Sequence, residues 1–323
     1  MKLAIGSEFL VDLDGSKTVL DSCLDAGVAL NYSCKSGRCN TCRATLLSGK
    51  VENEQGEVIS SGDFLSCCSK ALSDLNLQCE AFDASLMPRP HTTPAKVDKF
   101  EWHGDVVSVT LRLPPNKLFE FLPGQYIDLV FKGVSRSYSL THSSDHSKLM
   151  LDIKHFEGGV MSSLLVDQLA EGALMSLTGP RGTFFVRQAS LELPRIIFIA
   201  NGTGMAPIKA MVESLIDSGH RRPVSVYWGV RTQNDFYSEL PTTWADRGAD
   251  ISFFPVLSRP DAGWQGLTGY VQNAVAQKHS QLEGTAIYAC GSNKMIEDAR
   301  NLFLSMGLKP ERFYSDAFVQ SGE

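Results

Sequence analysis

The sequence predicts a multidomain chain of α+β and α/β class: a small mixed module, an antiparallel barrel, and a parallel sheet with helical crossovers. Three observations predict it. Five of the eight cysteines fall within residues 34–68, so the start of the chain is built around a thiol-rich loop. Met87-Pro88-Arg89-Pro90-His91-Thr92-Thr93-Pro94 then places three prolines in eight residues with little apolar content, the composition of a linker. Beyond it, short strand-like pieces broken by Pro and Gly give way near Pro194 to apolar runs alternating with helical segments, the rhythm of a parallel sheet. The expected boundaries are 1–86 for the module, 87–94 for the linker, 95–190 for the barrel and 191–323 for the parallel-sheet domain.

Within the module, Ser16 is placed to cap a helix that carries Val19, Leu20, Cys23 and Leu24 on one side and ends at Gly27. Cys23 at that spacing belongs to the core. Residues 95–190 read as short strands with one helix from about Val160 to Leu169. After Pro194 the strand candidates are Ile196–Ala200, Val224–Val230, Ile251–Val256 and Ala286–Cys290, with helices between them as right-handed crossovers require.

Composition excludes several classes. A length of 323 residues suffices for two or three domains, and 43% hydrophobic with 20% charged residues describes an ordinary globular protein. No apolar run approaches the length of a membrane span; Ile196-Ile197-Phe198-Ile199-Ala200 reads as a buried strand. Met1-Lys2-Leu3-Ala4-Ile5-Gly6 opens no apolar segment with a cleavage site, so no signal peptide is expected, and the cytoplasm is the expected compartment. A net charge of −6 argues against a nucleic-acid binder. Residues 1–88 hold twelve Asp and Glu against seven Lys and Arg. That imbalance suits steering toward a basic face on a partner protein, and it also serves solubility.

Cys34, Cys39 and Cys42 stand four and then two residues apart, the ligand spacing of a plant-type [2Fe–2S] cluster. Thiolates are the soft ligands such a cluster needs, and two irons take four of them. A loop that supplies three must wrap closely, and Ser36, Gly37 and Thr41 are small enough to allow it. Asn40 tolerates left-handed backbone, and loop N–H groups can donate to the sulfurs. Cys67 and Cys68 compete for the fourth position. On a strand their side chains would face opposite ways, so one alone could reach.

Four further segments carry nucleotide chemistry. Arg136-Ser137-Tyr138-Ser139 follows Pro123-Gly124-Gln125-Tyr126, and its arginine offers a fork of donors to a phosphate. Gly158-Gly159-Val160-Met161-Ser162 opens a helix, whose free N–H groups and positive dipole end suit a pyrophosphate. Gly202-Thr203-Gly204-Met205-Ala206-Pro207 makes a tight strand-to-helix turn. Cys290-Gly291-Ser292-Asn293-Lys294-Met295 stands at another strand end.

Together these segments resemble the ferredoxin–NADP reductase superfamily. The whole chain resembles those members that carry an N-terminal plant-type [2Fe–2S] ferredoxin domain. It is similar above all to the CDP-6-deoxy-Δ3,4-glucoseen reductases, through Tyr32-Ser33-Cys34-Lys35, Leu65-Ser66-Cys67-Cys68-Ser69-Lys70, Gly182-Thr183-Phe184-Phe185-Val186-Arg187 and Tyr288-Ala289-Cys290-Gly291-Ser292. The resemblance implies a β-grasp ferredoxin domain, an antiparallel β-barrel that binds FAD, and a Rossmann-like domain that binds NAD(P)H. It implies Cys67 as fourth ligand, in a Leu-x-Cys run. It implies that Arg136, Ser137, Tyr138 and Ser139 meet the flavin, Tyr138 by its ring and Ser139 at the N5 edge. Gly158, Gly159, Val160, Met161 and Ser162 would hold the pyrophosphate, and Gly202, Thr203 and Gly204 the dinucleotide. Cys290 would lie near the reacting nicotinamide carbon with Gly291 making room, and Phe318 would cover a flavin face.

The implied activity passes electrons from NAD(P)H to FAD, to the cluster, to an electron-accepting protein. That acceptor is expected to be a sugar dehydrase, with an oxygenase component as the alternative. A non-catalytic electron carrier is the alternative of a different class, opposed by the complete Gly202–Pro207 and Cys290–Met295 segments. Arg231 and Asp235 both stand near the end of the Val224–Val230 run, and NADH is preferred to NADPH because no basic cluster accompanies them.

Overall fold

The computed structural model describes residues 1–115, 117–142, 146–247 and 250–318. They form two compact units, Met1–Pro88 with Gly182–Phe184, and the remainder from Arg89 onward.

In the first unit the strands Lys2–Ile5, Phe9–Asp12, Arg43–Ser48, Gly62–Leu65 and Leu75–Gln78 make one mixed sheet. Its centre is the parallel pairing of Leu3 with Leu75 and Ile5 with Leu77. The helix Val19–Asp25 covers it and buries Val19, Leu20 and Cys23 among Leu3, Leu30, Phe64 and Leu77. Cys23 is thus core, as its spacing predicts. The cap is Thr18, whose Oγ1 accepts from Asp21 N at 3.1 Å, and not Ser16. Ser16 instead donates to Asp14 Oδ1 through both its N–H and its hydroxyl, which makes a turn two residues before the helix.

The helix start is also closed from outside. Val19 N–H donates to Ser69 O at 2.8 Å and Leu20 N–H to Ser66 O at 3.0 Å. These orphan donors of the first turn anchor the segment that contains Cys67 and Cys68.

The second unit contains a barrel and a parallel sheet. The barrel strands run Val134–Ser139, Tyr126–Phe131, Leu174–Arg181, His91–His103, Val106–Arg112 and Lys148–Lys154 in spatial order, all antiparallel. A bridge between Leu140 and Leu151 joins the two edges and closes the barrel around Val109, Leu129, Leu151 and Leu177. Residues 91–94, expected in the linker, are the first residues of the His91–His103 strand. Pro94 is tolerated there because this stretch pairs with one neighbour only, at Ser176, and the strand meets its second neighbour from Lys96 onward. The helix Val160–Gln168 closes one end of the barrel, with Met161 and Leu165 in its core.

The parallel strands lie in the order Leu267–Thr268, Ile251–Leu257, Val224–Val230, Arg195–Asn201, Thr285–Gly291 and Phe313–Ala317. Val224–Val230 and Thr285–Gly291 are buried throughout, as a sheet covered on both faces demands. Chain order reverses between Arg195–Asn201 and Thr285–Gly291, so the carboxyl ends of these two neighbours form the topological switch point where doubly wound sheets open a crevice. Among the described residues, no helix is long and apolar enough to cross a membrane.

Thr18→Ala should lower the stability of the first unit by about 1 kcal/mol, the usual cost of a lost N-cap. Denaturant titration followed by cluster absorbance should show a lower midpoint; an unchanged midpoint would assign the helix start to the Ser66 and Ser69 carbonyls alone.

Candidate functional site

The thiol-rich loop runs from the end of the strand Val28–Leu30 to the start of Arg43–Ser48. Three of its residues take left-handed backbone: Lys35 at φ 53°, Gly37 at φ 69° and Asn40 at φ 57°. Asn40 adopts the conformation expected of it. Lys35 has no such excuse and is held from outside, its Nζ 2.8 Å from Asp21 Oδ1 and 5.1 Å from the centre of the Tyr32 ring. Gly37 is needed twice over, because a Cβ there would lie 2.8 Å from Cys68 Sγ.

Cys67 and Cys68 lie in a turn after the Gly62–Leu65 strand, so strand alternation does not separate them, and their sulfurs are 3.3 Å apart. Position distinguishes them instead. The Cys42 thiol donates to Cys67 Sγ at 3.0 Å, and both residues belong to the module core. Cys68 packs against that core from its edge and is only half-buried. Ser66 fixes this arrangement, since its N–H and its hydroxyl both donate to Cys42 O at 3.0 Å.

The other two thiols also pair, Cys39 donating to Cys34. That hydrogen bond, helped by Ser36 and the Arg38 N–H against the opposing effect of burial, holds the Cys34 thiol well below its usual range. Cys67 is likewise lowered by Cys42, with burial opposing and Cys68 and the Gly37 N–H assisting. Loop N–H groups therefore do point at sulfur, Ser36 N lying 3.4 Å from Cys34 Sγ. Among the described residues no three Cys, His, Asp or Glu side chains close on a single ion. Two pairs of thiols, three from the loop and one from the turn after Gly62–Leu65, are instead the donor set of a two-iron cluster, in which each iron takes two thiolates.

In the barrel, alternation along Val134–Ser139 puts Arg136 and Tyr138 on one face and Ser137 and Ser139 on the other. Ser137 is committed elsewhere, donating to Asp128 Oδ1 at 2.6 Å, and Arg181 Nε lies 2.9 Å from the other oxygen of that carboxylate. Ser139 is buried at the strand end, opposite Tyr126. Tyr138 packs on the barrel core, and burial pushes its phenol well above the usual range. The helix Val160–Gln168 begins at Gly159 with no side-chain cap. Ser162 turns its hydroxyl back to accept from Phe156 N at 2.9 Å, which ties down the loop before the helix and leaves the uncapped N-terminus for a phosphate. Met161 points into the barrel core and so offers that helix start only its backbone, while the Val160 side chain is exposed.

At the switch point the Gly202–Gly204 turn runs directly into the helix Met205–Asp217, which also has no side-chain cap. A Cβ on Gly204 would stand 2.2 Å from Cys290 O, so this turn and the Cys290–Gly291 strand end touch through backbone. Gly291 has φ 154°, and a Cβ there would lie 2.8 Å from Asn201 Cβ. Phe318 N–H donates to Gly291 O at 2.9 Å, which brings the C-terminal aromatic to the same end of the sheet. Cys290 is fully buried, and burial together with the buried Asp316 carboxylate pushes its thiol far above the ordinary range. Gly202, Thr203, Gly204, Cys290, Gly291 and Phe318 thus converge.

Asp235 does not stand free for a ribose. Its carboxylate accepts from Thr232 N at 2.7 Å and Thr232 Oγ1 at 2.9 Å in a capping box, while Arg231 is exposed. Ser66 escaped sequence reading because nothing in its neighbours marks a hydroxyl aimed at a distant carbonyl. Asp152 and Lys209 escaped it because they lie 57 residues apart on a strand and a helix. An acid within the apolar run Leu149-Met150-Leu151-Asp152-Ile153 was the available signal.

Comparison with known proteins agrees domain by domain. Residues 4–72 match the 2Fe-2S iron-sulfur cluster binding domain, 96–186 the oxidoreductase FAD-binding domain and 198–301 the oxidoreductase NAD-binding domain. Such a set defines an NAD(P)H-dependent oxidoreductase that uses FAD and a [2Fe–2S] cluster. The chain is 40% identical over 315 residues to the CDP-6-deoxy-L-threo-D-glycero-4-hexulose-3-dehydrase reductase of Yersinia pestis, covering 95% of each chain. It is 41% identical over 307 residues to the protein RfbI of Salmonella typhimurium, covering 94% of this chain and 92% of that one. Among solved structures, the Amycolatopsis cytochrome P450 reductase GcoB superposes with a TM-score of 0.78 at 27% identity over 100% of both chains. The chain belongs to the family of iron–sulfur flavoprotein reductases that includes the CDP-6-deoxy-hexulose-3-dehydrase reductases.

Three substitutions test the geometry. Cys67→Ser should abolish the visible absorption of the cluster and its iron content, whereas Cys68→Ser should retain both; the reverse result would make Cys68 the ligand. Gly204→Ala forces the turn away from Cys290 and should slow anaerobic bleaching of the flavin by NADH about a hundredfold, the scale of an ångström misplacement. Bleaching at the wild-type rate would remove the Gly204–Cys290 contact from the nicotinamide site.

Proposed function

We propose that this chain takes a hydride from NADH at the Cys290 end of its parallel sheet and delivers electrons through the Cys34, Cys39, Cys42 and Cys67 thiolates to a 3-dehydrase acting on a CDP-linked 6-deoxy-4-hexulose. The observation that carries the reading is the meeting of Gly204, Cys290 and Gly291 at the switch point of a chain that also holds two pairs of cluster thiols. The choice of acceptor rests on the identity to the Yersinia reductase, which extends through the cysteine module as well as the nucleotide domains. We assign residues 1–86 to the cluster, the barrel from His91 to residue 190 to FAD, and 191–323 to the dinucleotide. Thiols that must stay reduced for cluster assembly favour the cytoplasm.

FAD supplies the conversion between two-electron hydride chemistry and the single-electron transfer that a cluster requires. The protein's residues bind and orient. Arg136 offers its guanidinium to the flavin phosphate, and the uncapped helix start after Gly158 and Gly159 receives the pyrophosphate. Tyr138 would contribute its ring and Ser139 its hydroxyl to holding the flavin ring system. Gly202, Thr203 and Gly204 present N–H groups to the dinucleotide phosphates, and Gly291, lacking a side chain, leaves room for the nicotinamide. Cys290 stays a neutral thiol, because burial and Asp316 both oppose its ionisation. It therefore sets the depth of the pocket without acting as a nucleophile. Phe318, tied to Gly291, would shield the flavin from water. Cys34 with Cys39, and Cys42 with Cys67, would each hold one iron of the cluster.

A second reading, an oxygenase component as acceptor, is favoured by the full-length likeness to the Amycolatopsis P450 reductase. NADH is the proposed donor, with NADPH as its comparison because Arg231 is exposed beside the dinucleotide crevice.

Immobilised full-length protein should capture a dehydrase from extract of its native cells. NADH should then drive reduction of the dehydrase-bound sugar, with electrons reaching the dehydrase only when the cluster is present. Capture of an oxygenase that accepts the electrons would replace the first reading by the second.

A further inference from the structure

A charged pair lies buried at the junction of the barrel and the parallel sheet. Asp152, on the barrel strand Lys148–Lys154, and Lys209, on the helix Met205–Asp217, form a short ion pair, with side chains 3% and 9% exposed. The Asp152 carboxylate is held on its second oxygen by Ser108 Oγ at 2.7 Å. Lys209 Nζ lies 5.2 Å from the centre of the Tyr237 ring. Tyr237 stands edge-on to Trp228 at 5.1 Å, and Trp228 Nε1 donates to Gly202 O at 2.8 Å. The Tyr237 hydroxyl is buried, makes no hydrogen bond of normal geometry, and lies beside Asp152 and Cys290. A continuous set of contacts therefore leads from the barrel wall to the dinucleotide turn, and the same strand packs directly against that turn.

Stability alone does not account for the pair. Two charges taken out of water cost several kcal/mol each, and apolar residues of similar size often stabilise as well or better. The lysine also stands where its charge is unwelcome. Lys209 is the fifth residue of its helix, and long helical side chains run back toward the N-terminus, the positive end of the dipole. An ion pair does one thing an apolar contact does not: it fixes distance and direction. The direction fixed here is that of the first turns of the helix that follows Gly202–Gly204, relative to a barrel strand.

We propose that Asp152 and Lys209, backed by Tyr237, are positioning residues that hold the dinucleotide turn in register with the flavin barrel, so that the nicotinamide carbon and the flavin stand at transfer distance. The inference rests on the reading that the nicotinamide lies at the Cys290 end of the sheet. Neither residue exchanges a proton or an electron in this role. Its loss lowers the rate of hydride transfer within the bound complex more than it weakens dinucleotide binding.

The test is anaerobic rapid mixing of the complete protein, loaded with flavin and cluster, against NADH. Wild-type bleaching, measured first, tests the hydride reading itself, so failure of that reading is told apart from failure of this one. Lys209→Met and Asp152→Asn should each slow bleaching at saturating NADH about tenfold to a hundredfold, with flavin and iron content unchanged and NAD+ binding within about threefold. The paired apolar replacement, Asp152→Leu with Lys209→Met, should unfold thermally no earlier than wild type and still bleach slowly. Lys209→Arg, which keeps the charge, should recover most of the rate. Wild-type bleaching in the paired variant, or a loss confined to NAD+ affinity, would overturn the proposal. Should Lys209→Met fail to retain flavin, Asp152→Glu decides: it keeps the charge and lengthens the arm, so slow bleaching with full flavin content supports the role, and wild-type bleaching overturns it.

Discussion

The contact on which the nucleotide half of the molecule depends is backbone against backbone, Gly204 on the carbonyl of Cys290. It leaves no space for a side chain, the would-be Cβ falling 2.2 Å from the carbonyl oxygen. Much follows from it. The neighbouring strands Arg195–Asn201 and Thr285–Gly291 must end level, with Ala200 beside Cys290. The helix Met205–Asp217 must start at once, with its N–H groups uncapped and turned to the crevice. Trp228 can then reach Gly202 from the next strand, and Phe318 can reach Gly291 from the other side. A switch point is a general property of doubly wound sheets. Here the absence of a Cβ at two positions, Gly204 and Gly291, lets the strand end and the turn close on each other.

The cysteine module applies the same economy to a different problem. Its loop must turn sharply three times, and two of the turns fall on residues other than glycine. Left-handed backbone costs such residues on the order of 1 kcal/mol or more. Asp21, on the helix below, holds Lys35 in place, and Ser66 ties the loop end to the segment bearing Cys67. That segment in turn satisfies the first N–H groups of the same helix. Helix, loop and turn therefore fix one another, and four sulfurs emerge in two pairs.

The legibility of this chain in its sequence follows the range of the interactions. The strands after Pro194 were readable because buried parallel strands are uninterrupted apolar runs, and the observed strands differ from those runs by a residue or so at either end. The thiol spacing was readable because three ligands lie within nine residues. Asn40 was readable because one side chain decides its backbone. Ser16 was misjudged as the cap because Thr18, two residues on, offers the same hydroxyl, and only the carbonyls of Ser66 and Ser69 select where the helix starts. On a strand Cys67 and Cys68 would face opposite ways, whereas the turn they occupy puts both thiols on one side. Their difference is burial against Cys42, a contact across 24 intervening residues. Asp152 with Lys209 was invisible for the same reason, since a buried acid in a strand announces itself but not its partner.

By this reading one chain carries electrons from nicotinamide to cluster without help. Anaerobic titration of the complete protein with NADH, followed by visible absorption and by electron paramagnetic resonance, tests it most directly. Flavin and cluster are both expected to be reduced by NADH in the isolated protein, with no mediator and no second protein. A flavin that bleaches while the cluster stays oxidised until a mediator is added would contradict it.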